Sequence, residues 1–387
     1  MRKLSHLPML MLGALLATAA PAQAQTTPTS GFQLNRYEPT AAGEWSFWVD
    51  HPWYSSTRYF AAGITMNYGH NPLVFGTVAA DGSFSRTNVV VEHQLLGHID
   101  LAGSFLDRIL LTLSMPIVLL EKGGQPVSSV AASDQVSIGD LRGGIMARLF
   151  GQPYRSAISM SLGAEFWVPW RGFINGLPTT ASDANFRFLP KLVLGGLASK
   201  VMWSFTAGFM YRPHAILGPE ALGAEANSEL QFGAAIAYAN TDLRLAIGPE
   251  VVAATAVLGD NAFKTSTTNI EALLGIHYNI ARILQLGVGG GIGILRQAGT
   301  PDGRVLLRLA YAPWPQDKKP EGPKDRDRDG ILDDEDVCPD VHKGNRPDPN
   351  RLGCPMGDRD GDGVLDGDDI CPDEAKGSRP DPARLGC

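Results

Sequence analysis

The chain has 387 residues, 44% hydrophobic and 19% charged, with 44 Gly, 27 Pro and four Cys. Such a length and apolar share exclude wholesale disorder and leave room for one large domain plus a smaller unit. A formal charge of −7 excludes a nucleic-acid arm or a basic lipid-surface binder, so no nucleic-acid partner is expected and a charge-driven partner is a cation.

Residues 1–24 read as a secretory signal peptide: Arg2 and Lys3, an apolar run from Leu7 to Ala20, then Ala22-Gln23-Ala24 as a small-x-small cleavage site. No Cys lies near that site, which argues against a lipid-anchored lipoprotein. No later stretch is long and apolar enough for a membrane helix. Residues 25–58 lead into the first regular element.

From 59 to 312 the sequence breaks into segments in which one parity is apolar and the other small, polar or charged. Ile270, Ala272, Leu274, Ile276 and Tyr278 share one face; Asn269, Glu271, Gly275, His277 and Asn279 share the other. Period two means strands. The spacing predicts twelve: 59–70, 88–101, 106–120, 136–149, 156–169, 185–196, 202–213, 228–240, 242–255, 267–280, 283–295 and 304–312. Short links such as 281–282 alternate with longer ones such as 121–135, so turns fall on one side and loops on the other.

A soluble sandwich would alternate too, with its apolar face turned inward. Length and end chemistry favour a membrane barrel: these strands exceed the usual 5 to 6 or so residues and reach the roughly 9 to 11 that a tilted crossing needs. Trp203, Tyr238, Tyr278 and Tyr311 sit on the apolar parity at one rim, and Tyr68, Trp170 and Tyr211 at the other, as interfacial girdles require. A closed antiparallel sheet leaves no unpaired edge in hydrocarbon. The expected fold is all-β, an outer-membrane barrel of about twelve strands over 59–312, with lipid as its partner.

The inner parity then carries Arg108, Asp140, Arg142, Arg148, Glu165, Arg212, Arg244, Glu250, Glu271, His277 and Arg308. Mixed signs fit either a polar conduit for small solutes or a salt-bridged plug. No Gly-x-Ser-x-Gly or His-Glu-x-x-His spacing occurs, and no enzymatic activity is expected. Gly289, Gly290, Gly291 and Gly293 lie inside a strand, where close backbone approach explains them better than phosphate binding.

Residues 313–324, with Pro313, Pro315, Pro320 and Pro323, read as a stiff linker. Beyond it the composition changes: 317–387 holds 20 acidic against 12 basic residues and all four Cys, which suits an oxidising compartment. Asp325–Cys354 aligns without a gap on Asp358–Cys387, with 21 of 30 residues identical. Each copy opens with acids at loop positions 1, 3, 5, 9 and 12: Asp325, Asp327, Asp329, Asp333 and Asp336, then Asp358, Asp360, Asp362, Asp366 and Asp369. Gly330 and Gly363 hold position 6, and Ile331 and Val364 at position 7 offer a backbone carbonyl.

This is the oxygen-donor spacing of a calcium loop, and Ca2+ is the expected cofactor. Flanking prolines forbid the helix pair of an EF-hand, and position 12 is Asp rather than the longer Glu. Pro347-Asp348-Pro349 and Pro380-Asp381-Pro382 are weaker candidates for further carboxylates. Cys338 and Cys354, like Cys371 and Cys387, are 16 residues apart, and pairing within each copy is the simplest of three connectivities. With almost no apolar core, the segment depends on ion and disulfide, and without both it is expected to be largely disordered.

At these residues the tail resembles thrombospondin type 3 repeats, whose Asp-x-Asp-x-Asp-Gly-x-x-Asp-x-x-Asp-x-Cys-Pro pattern appears as Asp325–Pro339 and Asp358–Pro372. That resemblance implies calcium-dependent folding around the carboxylates named above. Arg328 departs from it where the second copy has Gly361, and a side chain there strains the loop. Signal peptide, barrel and repeats in this order resemble OmpA-family outer-membrane proteins, in which such repeats form a periplasmic stalk; Leu34-Asn35-Arg36-Tyr37-Glu38-Pro39 also looks like their pre-barrel stretch. That architecture usually continues into a peptidoglycan-binding domain, so peptidoglycan is a partner only if the chain is a fragment. An even strand number places both chain ends on the short-turn, periplasmic side. Three roles compete: an envelope-spacing barrel with a calcium-binding stalk, a porin, and a secreted calcium-dependent adhesion protein.

Overall fold

All twelve alternating segments become strands, with bounds within five residues of those expected except that the first runs eight residues further, to Val78. They are β1 (Tyr59–Val78), β2 (Phe84–Phe105), β3 (Ile109–Lys122), β4 (Leu141–Phe150), β5 (Ser159–Val168) and β6 (Arg187–Ala198). The rest are β7 (Val201–Met210), β8 (Glu229–Ala239), β9 (Leu245–Ala256), β10 (Thr268–Ile280), β11 (Leu284–Leu295) and β12 (Gly303–Tyr311). The computed structural model describes residues 29–52, 59–78, 84–127, 130–170, 173–174, 177–178, 180–218, 224–313 and 324–387. The signal peptide (1–24) and nearly all of the proline-rich linker lie outside them. Two compact units result, Met1–Pro315 and Gln316–Cys387.

Every strand pairs antiparallel with its sequence neighbours, and β12 pairs with β1 from Gly303–His70 to Tyr311–Ala62, which closes the sheet. No barrel edge is left open. Among the described residues no helix is long and apolar enough to cross a membrane. β1 and β2 extend past the other strands and are bulged between His70 and Gly76. The tight link after β2 places Leu106 and Asp107 at positive φ, 53° and 55°, and the link after β10 does the same at Ala281 and Arg282, 50° and 58°. Such left-handed pairs match the right-handed twist of hairpin strands.

The burial pattern inverts that of a soluble protein. Arg304, Glu271, His277 and Arg308 point inward and are 3% exposed or less, whereas Leu307, Leu309 and Val288 point outward at 50%, 53% and 56%. Tyr238, Tyr278, Tyr311 and Tyr211 lie on the outer face as expected, and Phe60, Phe105 and Phe150 join them. A sandwich with its apolar face inward is not what this sequence forms; an outward apolar face around a polar lumen is what a lipid-embedded barrel requires.

Two expected lumen residues are not inside. Arg108 is exposed in the β2–β3 turn, and Arg244 sits in the β8–β9 turn beside Asp242 at 3.6 Å, because β3 and β9 begin three residues later than alternation suggests. In both turns the backbone reverses before the pleat starts.

The second unit contains no regular strand or helix among its described residues. Its order comes from turns, carboxylate-to-backbone hydrogen bonds and two disulfides, Cys338–Cys354 and Cys371–Cys387, each closing a separation of 16 residues.

Candidate functional site

The lumen is occupied by the chain's own N-terminal segment. Residues 31–52 are buried almost throughout, although in sequence they only precede the first strand. Thr29–Ser30 pairs with Ala215–Ile216 among the long loops, and Leu34 N–H donates to Thr180 O at 2.8 Å. The segment then descends until Gln285, at the start of β11, donates to the carbonyls of Gly43 (3.2 Å) and Glu44 (2.8 Å) near the short-turn end. It rises to mid-barrel at 47–49, and the Pro52 carbonyl accepts from Ser161 on β5.

An irregular backbone inside a barrel must satisfy its polar groups from the wall. Glu250 on β9 accepts from three successive amides, Phe47 at 2.6 Å, Trp48 at 2.9 Å and Val49 at 3.0 Å. Arg308 on β12 donates to Thr40 Oγ1 (3.1 Å) and Ser46 O (2.9 Å), and Arg142 on β4 donates to Pro39 O. Arg304 is held by Glu271 at 2.9 Å and Asn67 at 2.7 Å and lies over the Tyr37 and Trp48 rings.

Packing explains the glycine-rich strand. A Cβ on Gly289 would meet Phe47 Cε2 at 2.6 Å, and one on Gly275 would meet Phe47 Cδ2 at 3.0 Å. The Phe47 ring lies in that glycine trough with His277 against it, ring centroids 4.3 Å apart. At Gly289 the close neighbour is thus a side-chain ring of the plug, whereas the backbone approach expected along this strand is found at Gly291, against Ala272 O, and at Gly293, against Pro301 O.

Toward β5–β9 the plug does not fill the lumen. A cavity of about 100 Å³ remains there, lined by Trp48, Trp167, Arg36, Glu229 and Lys191 among others. Lys191 bridges Glu165 at 2.8 Å and Asp50; Arg187 bridges Asp140 at 3.0 Å and Asp183 at 2.9 Å; Arg212 holds Asp183 at 2.7 Å. Arg148, placed inside as expected, reaches instead to Asp107 in the β2–β3 turn at 3.2 Å. The arrangement surrounds a polar cavity with paired charges of both signs.

The sequence reading identified Asp140, Arg142, Arg148, Glu165, Arg212, Glu250, Glu271, His277 and Arg308 as lumen residues, and all are buried. It missed Arg187, Lys191, Asp100 and Asp183, and above all Glu38 and Asp50 on the plug. The parity of β6 could have flagged Arg187 and Lys191. No period marks a plug, because its contacts follow neither two nor 3.6 residues.

In the second unit the two copies repeat their geometry. Asp325 accepts from Asp329 N (3.2 Å) and Gly330 N (3.0 Å), and Asp358 accepts from Asp362 N (3.1 Å) and Gly363 N (2.8 Å). The carboxylates of Asp325, Asp327 and Asp329 come within 4.8 Å of one another, as do those of Asp358, Asp360 and Asp362. Asp333 and Asp366 instead accept from Arg326 N at 2.9 Å and Arg359 N at 2.8 Å. Asp336 and Asp369 receive Cys338 N and Cys371 N at 2.7 Å, and Asp348 and Asp381 cap their own turns at 2.9 Å. Ile331 and Val364 donate their amides to Asp329 and Asp362, both at 2.8 Å.

Hard carboxylate oxygens at this density suit calcium. One oxygen each of Asp327, Asp336 and Asp360 is shut off from solvent with no donor, the condition a cation would relieve. Desolvation first, then the charges of neighbouring aspartates, hold the Asp327 and Asp360 carboxyls above the ordinary carboxylate range. The donor set fits the ion.

No family model and no curated protein matches the chain. Among solved structures it is similar to an outer membrane channel from Pseudomonas putida F1, with a TM-score of 0.53 and 9% identity over 67% of this chain and 97% of that one. It is also similar to the NanC porin, at a TM-score of 0.41 and 5% identity over 65% and 98% of the two chains. The Pseudomonas putida toluene transporter TodX gives 0.33 and 8% over 74% and 100%. The likeness to the first of these shows that the fold is a closed β-barrel of the kind that channel has.

Proposed function

We propose that this chain is an outer-membrane channel for small polar solutes, narrowed by its own N-terminal segment and carrying a calcium-binding tail. The observation that carries the channel reading is the polar cavity left beside the plug within a barrel whose outer face is apolar. A structural plug alone has no need of that space.

The expected test is planar-bilayer recording of the full chain. Small, discrete openings support the reading, and Glu250→Gln, which loosens the plug, should enlarge them. A membrane that stays silent at high occupancy for both proteins would refute it.

The tail favours a second role alongside the first. Duplicate carboxylate clusters, two disulfides and the resemblance to thrombospondin type 3 repeats support a calcium-stiffened stalk, as the OmpA-like order of segments suggests. On this reading, with the long loops taken as external, the even strand count would be consistent with a stalk in the periplasm, where it would space the envelope. Calcium would be held by Asp325, Asp327 and Asp329 and by Asp358, Asp360 and Asp362, supplying the charge that the apo loops lack. Calorimetric titration of the intact protein should show two calcium sites, and loss of one with Asp325→Asn.

A further inference from the structure

We propose that the cavity beside the plug is a binding site for small zwitterions of the amino-acid class, centred on Glu229, Arg36 and Asn269. The proposal rests on the channel reading above and specifies what the lumen recognises.

Size comes first. At about 10–15 Å³ per water on this measure, a cavity of about 100 Å³ has room for roughly seven to ten waters, comparable to a small amino acid.

Its wall carries an unusual set of polar atoms. Glu229, 1% exposed, takes the Arg36 guanidinium at 2.5 Å through Oε2. Its Oε1 has no hydrogen-bond partner, nor has Asn269 Oδ1, 3% exposed, nor Arg36 Nε. Two unpartnered acceptors and one unpartnered donor, each shut off from solvent, thus sit on side chains that line the cavity, two of which form an ion pair that is already neutral. Once these side chains turn toward the cavity, an ammonium supplies N–H groups for the acceptors, and a carboxylate accepts from Arg36 Nε.

Charge balance selects against other solutes. Lys191, Arg142, Arg187 and Arg212 on the same wall each face a carboxylate, so a solute of net charge must displace an existing pair. A species with both charges and no net charge joins the network without breaking it. Trp48, Trp167 and Met210 give its carbon atoms an apolar surface.

The test is equilibrium binding to the full-length protein in detergent, followed by saturation-transfer NMR, with glycine, glycine betaine and glycerol as probes. Glycine should bind saturably, and betaine, which keeps both charges but has no N–H, about tenfold more weakly, the loss of roughly one charge-assisted hydrogen bond. Glu229→Gln should weaken glycine by a similar factor, and Asn269→Leu should do so with heat-modifiable mobility unchanged. Equal binding of betaine and glycine, binding of glycerol in preference, or no saturable binding would overturn the site. If conductance persists in that case, the channel reading stands; if it is absent as well, both fall.

Discussion

Glu250 and Phe47 lie 203 residues apart, yet the carboxylate Oε1 accepts the Phe47 amide at 2.6 Å while its other oxygen takes the next two N–H groups. A buried carboxylate capping three successive amides is a charge-assisted clamp, and it holds the irregular segment at mid-lumen. Glu250→Gln keeps the shape but offers one acceptor oxygen in place of two and removes the charge. The plug should loosen by about 2–4 kcal/mol. Hydrogen exchange at 47–49 should speed accordingly with strand amides unaffected; unchanged protection would disprove the clamp.

The glycine trough makes a second prediction. Gly289→Val places a Cβ within 2.6 Å of Phe47 Cε2 and should expel the ring. Phe47→Ala alone leaves a void, and combining the two should restore part of the loss as the valine fills it. Protease sensitivity of residues 31–52 in the three variants reads this coupling; strictly additive effects would contradict the contact.

Lipid contact is testable at β12. Leu307 is 50% exposed on the outer face. In hydrocarbon, Leu307→Arg should destabilise the barrel by about 2–4 kcal/mol, measured by urea titration in phospholipid vesicles. In water the same change at an exposed site would be within about 0.5 kcal/mol.

Arg328 has φ 63°, in the left-handed region, at the position where the second copy has Gly361 at φ 72°. The strain anticipated from sequence is thus present in the backbone. Arg328→Gly should stabilise the first loop by about 1 kcal/mol and Gly361→Ala should destabilise the second by a similar amount. Calcium affinities of the two variants, measured by titration of the intact chain, should move in opposite directions.

The tail's pH response should change sign with calcium. In the apo protein the Asp327 and Asp360 carboxyls sit above their ordinary range, so the folded form holds the proton more tightly than the unfolded chain. These two groups therefore stabilise the apo fold at pH below their ordinary range, and the contribution is lost as pH rises through their folded values. Asp362, drawn down chiefly by the Val364 N–H, opposes this in the second copy, so the first copy should respond more steeply. With calcium bound, acid should instead destabilise, because the ligands must be ionised. Reduction of Cys338–Cys354 by a phosphine, with and without chelator across pH 4 to 8 or so, reads both signs; one common trend would refute the assignment.

Period-two patterning marked the twelve strands, strand length and end chemistry marked their outward face, and the gapless match of Asp325–Cys354 to Asp358–Cys387 marked the two repeats, because a side chain's face in a strand and a residue's place in a tight loop are set by residues close in sequence. The aromatic rims and the lumen positions of Glu271, His277 and Arg308 follow from the same local rule. What fills the lumen was decided only by tertiary structure. Residues 31–52 carry no period, and Glu250, Arg308, Arg142 and the Gly275–Gly289 trough hold them across separations of 100 to 270 or so residues, where no local preference acts. The Glu229–Arg36 pair, and the space beside it, exist only because that segment folds back into the barrel it precedes.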